Sequence, residues 1–345
     1  MKILHAIFSR EFAGSETYAA SLARLQAAFG HEVTLLVLDA GAGYVARVRA
    51  AAAPANVETL ATWVPSFLRG IAAARLVMRF GPDIVHTHLG QASRQVGAAA
   101  QRTGVPHVAT LHLRYRDRDY ARADGLICVA DWLRSEIPAT YRGRIETIWN
   151  WLPDMPPGGD AGALLRKSLK ATPATHVFGS VGRLMPQKGM DVLIDAFQRA
   201  FQPDADVRLV IVGGGPLHAQ LQAVAAAEPR ITLTGYRDDA AVLYPAFDTY
   251  VSAARHEPFG LTILEAMHAG CRLVCTRTQG PLEFLAGRTT VQWAEPSDAA
   301  SLADAMRIAA QMQGRMAWNM DDFEAVDPLA RIDNLYRSLA RPNDQ

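Results

Sequence analysis

Short apolar runs alternate with longer amphipathic stretches through the first half of the chain: KILHAIF, HEVTLLVL, NVETL, DIVHTH, HVATLH, GLICVA and RIETIW. That rhythm predicts βαβ units and a parallel sheet. Between the first two runs, SETYAASLARLQAAFG places Ser15 at a helix start and Gly30 at its end, the punctuation of a well-defined helix. The pattern breaks at residues 153–162, PDMPPGGDAG, where three prolines and three glycines read as a linker. Strand-like runs then resume with THVFGSVG, VRLVIVGG, RITLTG, DTYVSA, RLVCT and TTVQW. The expected organisation is an α/β parallel-sheet domain over 1–155, a second over 156–325, and a closing helical stretch over 326–345. In open parallel sheets ligands gather at the carboxyl ends of strands, and Ala13, Gly14, His86, His88 and His112 fall at or just past such ends.

Composition fits two domains. At 345 residues, 50% of them hydrophobic, the chain can bury two cores, each of roughly 150 to 170 residues. A net charge of +1 argues against nucleic acid as partner, because backbone-phosphate binding needs a concentrated basic face. The halves differ: residues 1–155 hold 17 Arg and Lys against 13 acids, net +4, and the rest 18 against 21, net −3. Cys128, Cys271 and Cys275 lie in apolar settings without His at ligand spacing, which predicts buried, reduced thiols. The start, MKILHAIFSREFAGSE, reads as neither signal peptide nor membrane span. No run approaches the roughly 20 apolar residues of a spanning helix, so a cytoplasmic protein is expected.

Candidate chemistry concentrates in EPFGLTILEAMHAG. The apolar run before it ends in polar residues, and Pro258 suits a first helical position. The amides of Phe259, Gly260, Leu261 and Thr262 would then face outward with the positive end of the helix dipole, an arrangement that suits phosphate. Glu257 before the first turn and Glu265 further in would flank the ligand as hydroxyl acceptors. The bland alternative makes Glu265 a solvated helix acid and Glu257 a charge that complements the dipole. A second segment, HVFGSVGRLMPQKGMDVLIDAFQRA, runs from strand through Gly182 and Arg183 into a helix near Gly189. The chain has only four lysines, Lys2, Lys167, Lys170 and Lys188. Arg183 offers a planar fork and Lys188 a mobile point charge; as bland residues both are solvated loop cations.

Taken in order, VGRLMPQKGMDVLIDAF, VIVGGGPLHAQL, ITLTGYRDD and EPFGLTILEAMHAGCRLVCTRTQGPLEFL resemble the donor half of glycosyltransferase family 4. The likeness is dense over about residues 175–300 and thinner over the AGSE loop, DIVHTH and TLHLRY. The resemblance implies the GT-B fold, two Rossmann-like doubly wound parallel-sheet domains facing across a cleft. It implies a retaining transferase using a nucleoside-diphosphate sugar with no obligatory metal or other cofactor; UDP is expected before GDP as its nucleotide. By motif, Arg183 and Lys188 match the pair that neutralises the diphosphate, Glu257 the carboxylate on the transferred sugar, and Glu265 the one on the ribose. Gly14 matches a loop glycine near donor phosphate and acceptor, with Ala13 and Glu16 beside it. His112 matches a histidine near the reacting sugar, and Glu283 a recurrent Glu. Tyr236 and Arg237, after Gly235, would stack on the base. Two positions depart from the pattern: Ala13 replaces the first glycine of a GG pair, and Pro258 the glycine of EGFG.

Other motifs fail. VIVGGGPLHAQL has His218 where a dinucleotide fingerprint needs its third glycine. Asp117-Arg118-Asp119 imitates a metal-binding DxD but sits among Arg114, Arg116 and Arg122, which predicts surface salt bridges. His86 and His88 alternate with Thr87 and share one face, either as a metal pair or as a polar crevice wall on the acceptor side. No third ligand lies nearby in sequence, and no metal is assigned. His112 after VATL reads either as a site residue or as a satisfied core histidine.

The acceptor is less legible. WVPSFLRGIAAARLVMRF sets Arg69, Arg75 and Arg79 among Phe67, Leu68, Ile71, Leu76 and Phe80, compatible with a helix lying on anionic lipid or with a core-facing helix whose basic side is solvated. CTRTQGPLEFL resembles lipopolysaccharide-core enzymes of the family. The expected acceptor is a glycan or lipid-linked hydroxyl, with peripheral contact to the cytoplasmic face of a membrane. A nucleotide-sugar epimerase and a non-catalytic sugar-nucleotide binder stand as alternatives.

Overall fold

The computed structural model describes residues 1–340, apart from the side chains of Ser66 and Phe67. Residues 341–345 of the closing stretch, and the Phe67 side chain of the amphipathic segment, therefore lie outside the described residues. Two compact units form: Met1–Pro153 with the chain from Glu324 onward, and Asp154–Phe323.

The first unit is built on a wholly parallel sheet of β1 (Lys2–Ile7), β2 (Glu32–Asp39), β3 (Asn56–Ala61), β4 (Ile84–His88), β5 (His107–Leu111), β6 (Gly125–Cys128) and β7 (Arg144–Thr147), in the order β3-β2-β1-β4-β5-β6-β7. Its central strands are buried on both faces, which is why they read as nearly unbroken apolar runs. Strand alternation divides β1 between two cores. Ile3 and Ile7 pack with Tyr18 and Leu22 of helix Gly14–Ala28 and with Leu329, Ile332 and Tyr336 of helix Val326–Leu339. Leu4 and Ala6 face Ala73, Leu76 and Val77 of helix Ser66–Phe80. Each fully buried aliphatic side chain contributes about 1.5–3 kcal/mol.

The first helix corrects a sequence expectation. It begins at Gly14 with Ala13 as N-cap, not at Ser15. The Glu16 carboxylate reaches back to accept from the Ala13 amide at 2.9 Å, so an acidic side chain replaces the Ser cap in satisfying the orphan donor. Its other end closes as read: Gly30 takes φ +89° and the His31 amide donates to the Gln26 carbonyl, a Schellman closure.

The second unit carries a parallel sheet of β8 (His176–Val181), β9 (Val207–Val212), β10 (Ile231–Gly235), β11 (Thr249–Ser252), β12 (Arg272–Thr276) and β13 (Gln292–Ala294), ordered β10-β9-β8-β11-β12-β13. Phe178, Leu209 and Ile211 pack there against Leu193 and Phe197 of helix Met190–Ala200 and Leu302 and Met306 of helix Ala299–Ala310. Both strand orders reverse beside the first strand of their unit, the switch point of a doubly wound sheet. The three cysteines are buried and unbridged. Among the described residues no helix is long and apolar enough to cross a membrane.

Candidate functional site

In the second unit two loops are stitched together at the carboxyl ends of β8 and β11. After β8, Gly182 and Arg183 lead to a 3-10 turn, Pro186–Lys188, and Gly189 at φ +65° opens helix Met190–Ala200. A Cβ on Gly189 would stand 2.0 Å from the Ala253 carbonyl oxygen, so only glycine permits the turn to approach the loop after β11. The Arg255 amide donates to the Gln187 carbonyl at 2.8 Å, and the Arg255 guanidinium grips Asp191 at 2.6 and 2.8 Å. This stitching brings Lys188 Nζ to 2.5 Å from Glu257 Oε2, with Glu257 7% exposed. Lysine has three donors, so an anion could share the ammonium. Arg183 is exposed, and its neighbour Gly182 lies against the Lys188 side chain, 4.0 Å from Cδ to a Cβ built on the glycine.

The glycines after β9 serve the same loop. A Cβ on Gly213 would stand 1.9 Å from the Gly182 carbonyl oxygen, and the Leu184 amide donates to Gly214 at 2.8 Å. The GGG run is a backbone packing device supporting Arg183. Tyr236 stands beside Gly214 and is exposed, bonding Asp238 at 2.8 Å; Arg237 is paired with Asp239.

The helix at the Glu257 loop starts later than its sequence suggests. It spans Leu261–His268 with Gly260 as N-cap at φ +113°, so Pro258 and Phe259 precede it. The expectation of Pro258 at the first helical position is corrected: the positive φ that only glycine adopts freely at 260 forces the break there. Leu261 and Thr262 supply its first amides, while the Ile263 amide is already bonded to the Gly260 carbonyl at 2.9 Å. Gly280, in the short helix Gln279–Phe284 that also carries Glu283, backs this loop: its amide donates to the Glu257 carbonyl at 3.0 Å, and a Cβ there would meet Phe259 Cα at 2.5 Å. Glu265 lies one turn into the helix and accepts from the Tyr244 hydroxyl at 2.5 Å. Burial pushes its carboxyl up to about 7, with the Tyr244 hydrogen bond acting the other way. The Tyr250 hydroxyl, 2.8 Å from Thr262 Oγ1, fixes the other side of the helix start.

In the first unit the structure overturns the acceptor-side reading of His86 and His88. Both are wholly buried, because the sheet face they share is the one covered by helices Gly14–Ala28 and Val326–Leu339. His5 pairs with His86 across β1 and β4 and joins them on that face. It is the third ligand that the sequence did not place beside them, and nitrogens of His5, His86 and His88 lie within 4.8 Å of one another. Each ring nitrogen nevertheless has a protein partner. His86 Nδ1 meets the Tyr336 hydroxyl and Nε2 meets Thr110 Oγ1 at 2.7 Å; His5 Nε2 meets Gln26 Oε1 at 2.6 Å; His88 bridges His5 and His112 at 3.2 and 3.3 Å. His112, just past β5, is the partly exposed end of this file, edge-on to Tyr18. Burial lowers its pKa to about 3, so it stays neutral. Glu16, placed on the acceptor side by sequence, is buried and spent on the helix cap beside Ala13 and Gly14. Asp119 of the DxD imitation is likewise buried, paired with Arg94 and 3.6 Å from Arg118 rather than forming a surface bridge with the flanking arginines.

Sequence reasoning missed His5, Gln26, Tyr244, Tyr250 and Tyr336. A signal existed for His5, a polar residue in register with Ile3 and Ile7 on a strand otherwise apolar.

The family model described as Glycosyltransferase Family 4 matches residues 12–153, and the one described as Glycosyl transferases group 1 matches residues 175–311. The chain belongs to glycosyltransferase family 4. The lipopolysaccharide core biosynthesis glycosyltransferase LpsE of Rhizobium meliloti is 24% identical over 289 residues, 83% of this chain and 82% of that protein. A GDP-mannose-dependent alpha-(1-6)-phosphatidylinositol dimannoside mannosyltransferase of Mycobacterium tuberculosis is 36% identical over 118 residues, 33% of this chain. The chain spans 31% of that relative's length and 57% of an archaeal one's. A crystal structure of Anabaena HepE in complex with UDP and glucose superimposes with a TM-score of 0.82 at 21% identity, covering 98% of this chain and 100% of that one. The fold is GT-B, built from two Rossmann-like units.

Proposed function

We propose that this family 4 glycosyltransferase moves a hexosyl group, with retention of configuration, from a nucleoside-diphosphate sugar to a hydroxyl of a glycan or lipid-linked acceptor. The observation that carries the reading is the Lys188–Glu257 pair, held at 2.5 Å beside the start of helix Leu261–His268. As the C1–O bond breaks, charge grows on the leaving diphosphate and the sugar turns oxocarbenium-like. Lys188, Arg183 and the Leu261 and Thr262 amides are assigned to the diphosphate, where fixed positive charge stabilises the transition state more than the ground state. The reading gives this neutralisation to side chains and amides, without an obligatory metal. Glu257 is assigned to hydroxyls of the transferred sugar, Glu265 to the ribose, and Tyr236 to the base. Neutral His112 is assigned to orienting the sugar and Gly14 to the donor phosphate.

The UDP reading is supported by a likeness over the whole chain to a structure holding UDP and glucose, against a match of 118 residues to a GDP-mannose enzyme. Cell-surface polysaccharide or lipopolysaccharide synthesis is supported by the extent of the LpsE match. A thermal-shift panel of UDP, GDP, ADP and their sugars tests the donor, since a ligand at 100 times its Kd adds about 2.7 kcal/mol. Proton NMR of the transfer product should show the donor's anomeric configuration. An inverted product removes the retaining mechanism, and an isomerised sugar formed from donor alone makes the protein an epimerase.

A further inference from the structure

The buried imidazoles of the first unit form a directional hydrogen-bond file. Gln26 Oε1 can only accept, so His5 donates to it through Nε2–H at 2.6 Å. A neutral imidazole carries one N–H, which leaves a lone pair on His5 Nδ1. That lone pair accepts from His88 Nε2–H at 3.2 Å, and His88 Nδ1 in turn accepts from His112 Nε2–H at 3.3 Å. We propose that Gln26, His5 and His88 are positioning residues that hold His112 as its Nε2–H tautomer, presenting an Nδ1 lone pair as acceptor for a sugar hydroxyl.

Among the described residues nothing bonds His112 Nδ1. The rings follow one another at even spacing, with centroids 5.5 Å apart for His5 and His88, nearly parallel at 19°, and again 5.5 Å for His88 and His112, tilted by 31°. Neutrality holds along the file, because burial lowers His5 to about 4 and His88 well below its ordinary value. An unanchored imidazole exchanges its tautomers readily, and each flip would turn His112 from acceptor to donor; the Gln26 carbonyl removes that freedom two rings away. A divalent ion among His5, His86 and His88 would need lone pairs from nitrogens that here donate or accept within the protein, so the hydrogen-bonded file is the favoured use of the cluster.

The inference rests on the proposed role of His112 at the sugar, and its test separates the two. Long-range proton–nitrogen correlation spectra of the ¹⁵N-labelled full chain, without substrate, read each tautomer. The expected result is Nε2–H at His5, His88 and His112. Gln26→Glu, which keeps the acceptor, should leave that pattern, whereas Gln26→Leu should give a mixture at His112 and a several-fold fall in kcat. An Nδ1–H His112 in the parent protein, an unchanged tautomer in Gln26→Leu, or one equivalent of divalent metal retained on the three histidines overturns the proposal. A shifted tautomer with unchanged kcat upholds the file and removes His112 from the sugar.

Discussion

Lys188 meets Glu257 with side-chain exposures of 26% and 9%, so the acid is the buried partner. Removing one partner of such a pair leaves an uncompensated acid, so Lys188→Ala lowers both stability and rate, and the two must be measured separately. Well below its melting temperature, the variant should lose about 10²–10³ in kcat, the usual loss for one transition-state donor, with a smaller change in donor KM. Full kcat in a folded Lys188→Ala protein takes Lys188 out of the mechanism. Glu265 makes a different prediction. Its folded pKa of about 7 lies above the ordinary 4.5, so the folded state favours the protonated acid. Its stabilising contribution is whole below about 4.5 and disappears as pH rises through about 7, on the order of 3 kcal/mol at most. Glu265→Gln cannot ionise, so its melting temperature relative to the parent should climb between pH 4.5 and 8. Parallel melting curves across that window would remove the raised pKa.

At the scale of elements, the turn Pro186–Lys188 and the helix after it depend on one backbone conformation. Gly189→Ala adds a Cβ 2.0 Å from the Ala253 carbonyl oxygen at a positive φ. The left-handed conformation alone costs about 1–2 kcal/mol for alanine, and the clash must also push the turn off the loop after β11. Lys188 then moves from Glu257, so nucleotide-sugar affinity should fall together with the melting temperature. If donor binding survives unchanged, the stitching of the two loops is not what positions Lys188. Elements of this kind were the legible part of the chain. All thirteen runs form strands; inner strands such as β4 and β5 are buried along their length and leave a local apolar signature, while edge strands β3 and β7 are only partly buried and were legible by their alternation. The loops were legible as chemistry and less so as geometry. Pro258 suited a helix start by local preference, and Gly260 overrode it by adopting φ +113°. The imidazole file was illegible because its members, Gln26, His5, His88 and His112, come from four elements that only the sheet order brings together.

For the whole molecule, helix Ser66–Phe80 bears on the proposed contact with a membrane. Of the three arginines that suggested a basic face, Arg69 is buried with its guanidinium on the Thr62 carbonyl at 2.7 Å, and Arg79 is paired with Glu58 at 3.0 Å. The helix exposes Leu68 at 39%, Ile71 at 50% and Met78 at 64% beside Arg75 and the paired Arg79, and Trp63 at 83% lies in the turn before it. One cation near an anionic surface contributes about 1 kcal/mol, while each apolar side chain contributes up to about 1.5–3 kcal/mol on full burial. Any attraction to membrane should therefore come chiefly from these apolar side chains and weaken only modestly with salt. In flotation with vesicles containing phosphatidylglycerol, the parent protein should rise with the lipid at low salt and largely remain there at several hundred millimolar salt. Ile71→Ser with Met78→Ser should leave it at the bottom at either salt, with donor-dependent thermal shift unchanged because neither residue is among those assigned to the donor. A parent protein that never floats removes the membrane from the proposed function, and one released wholly by salt returns the contact to the basic residues.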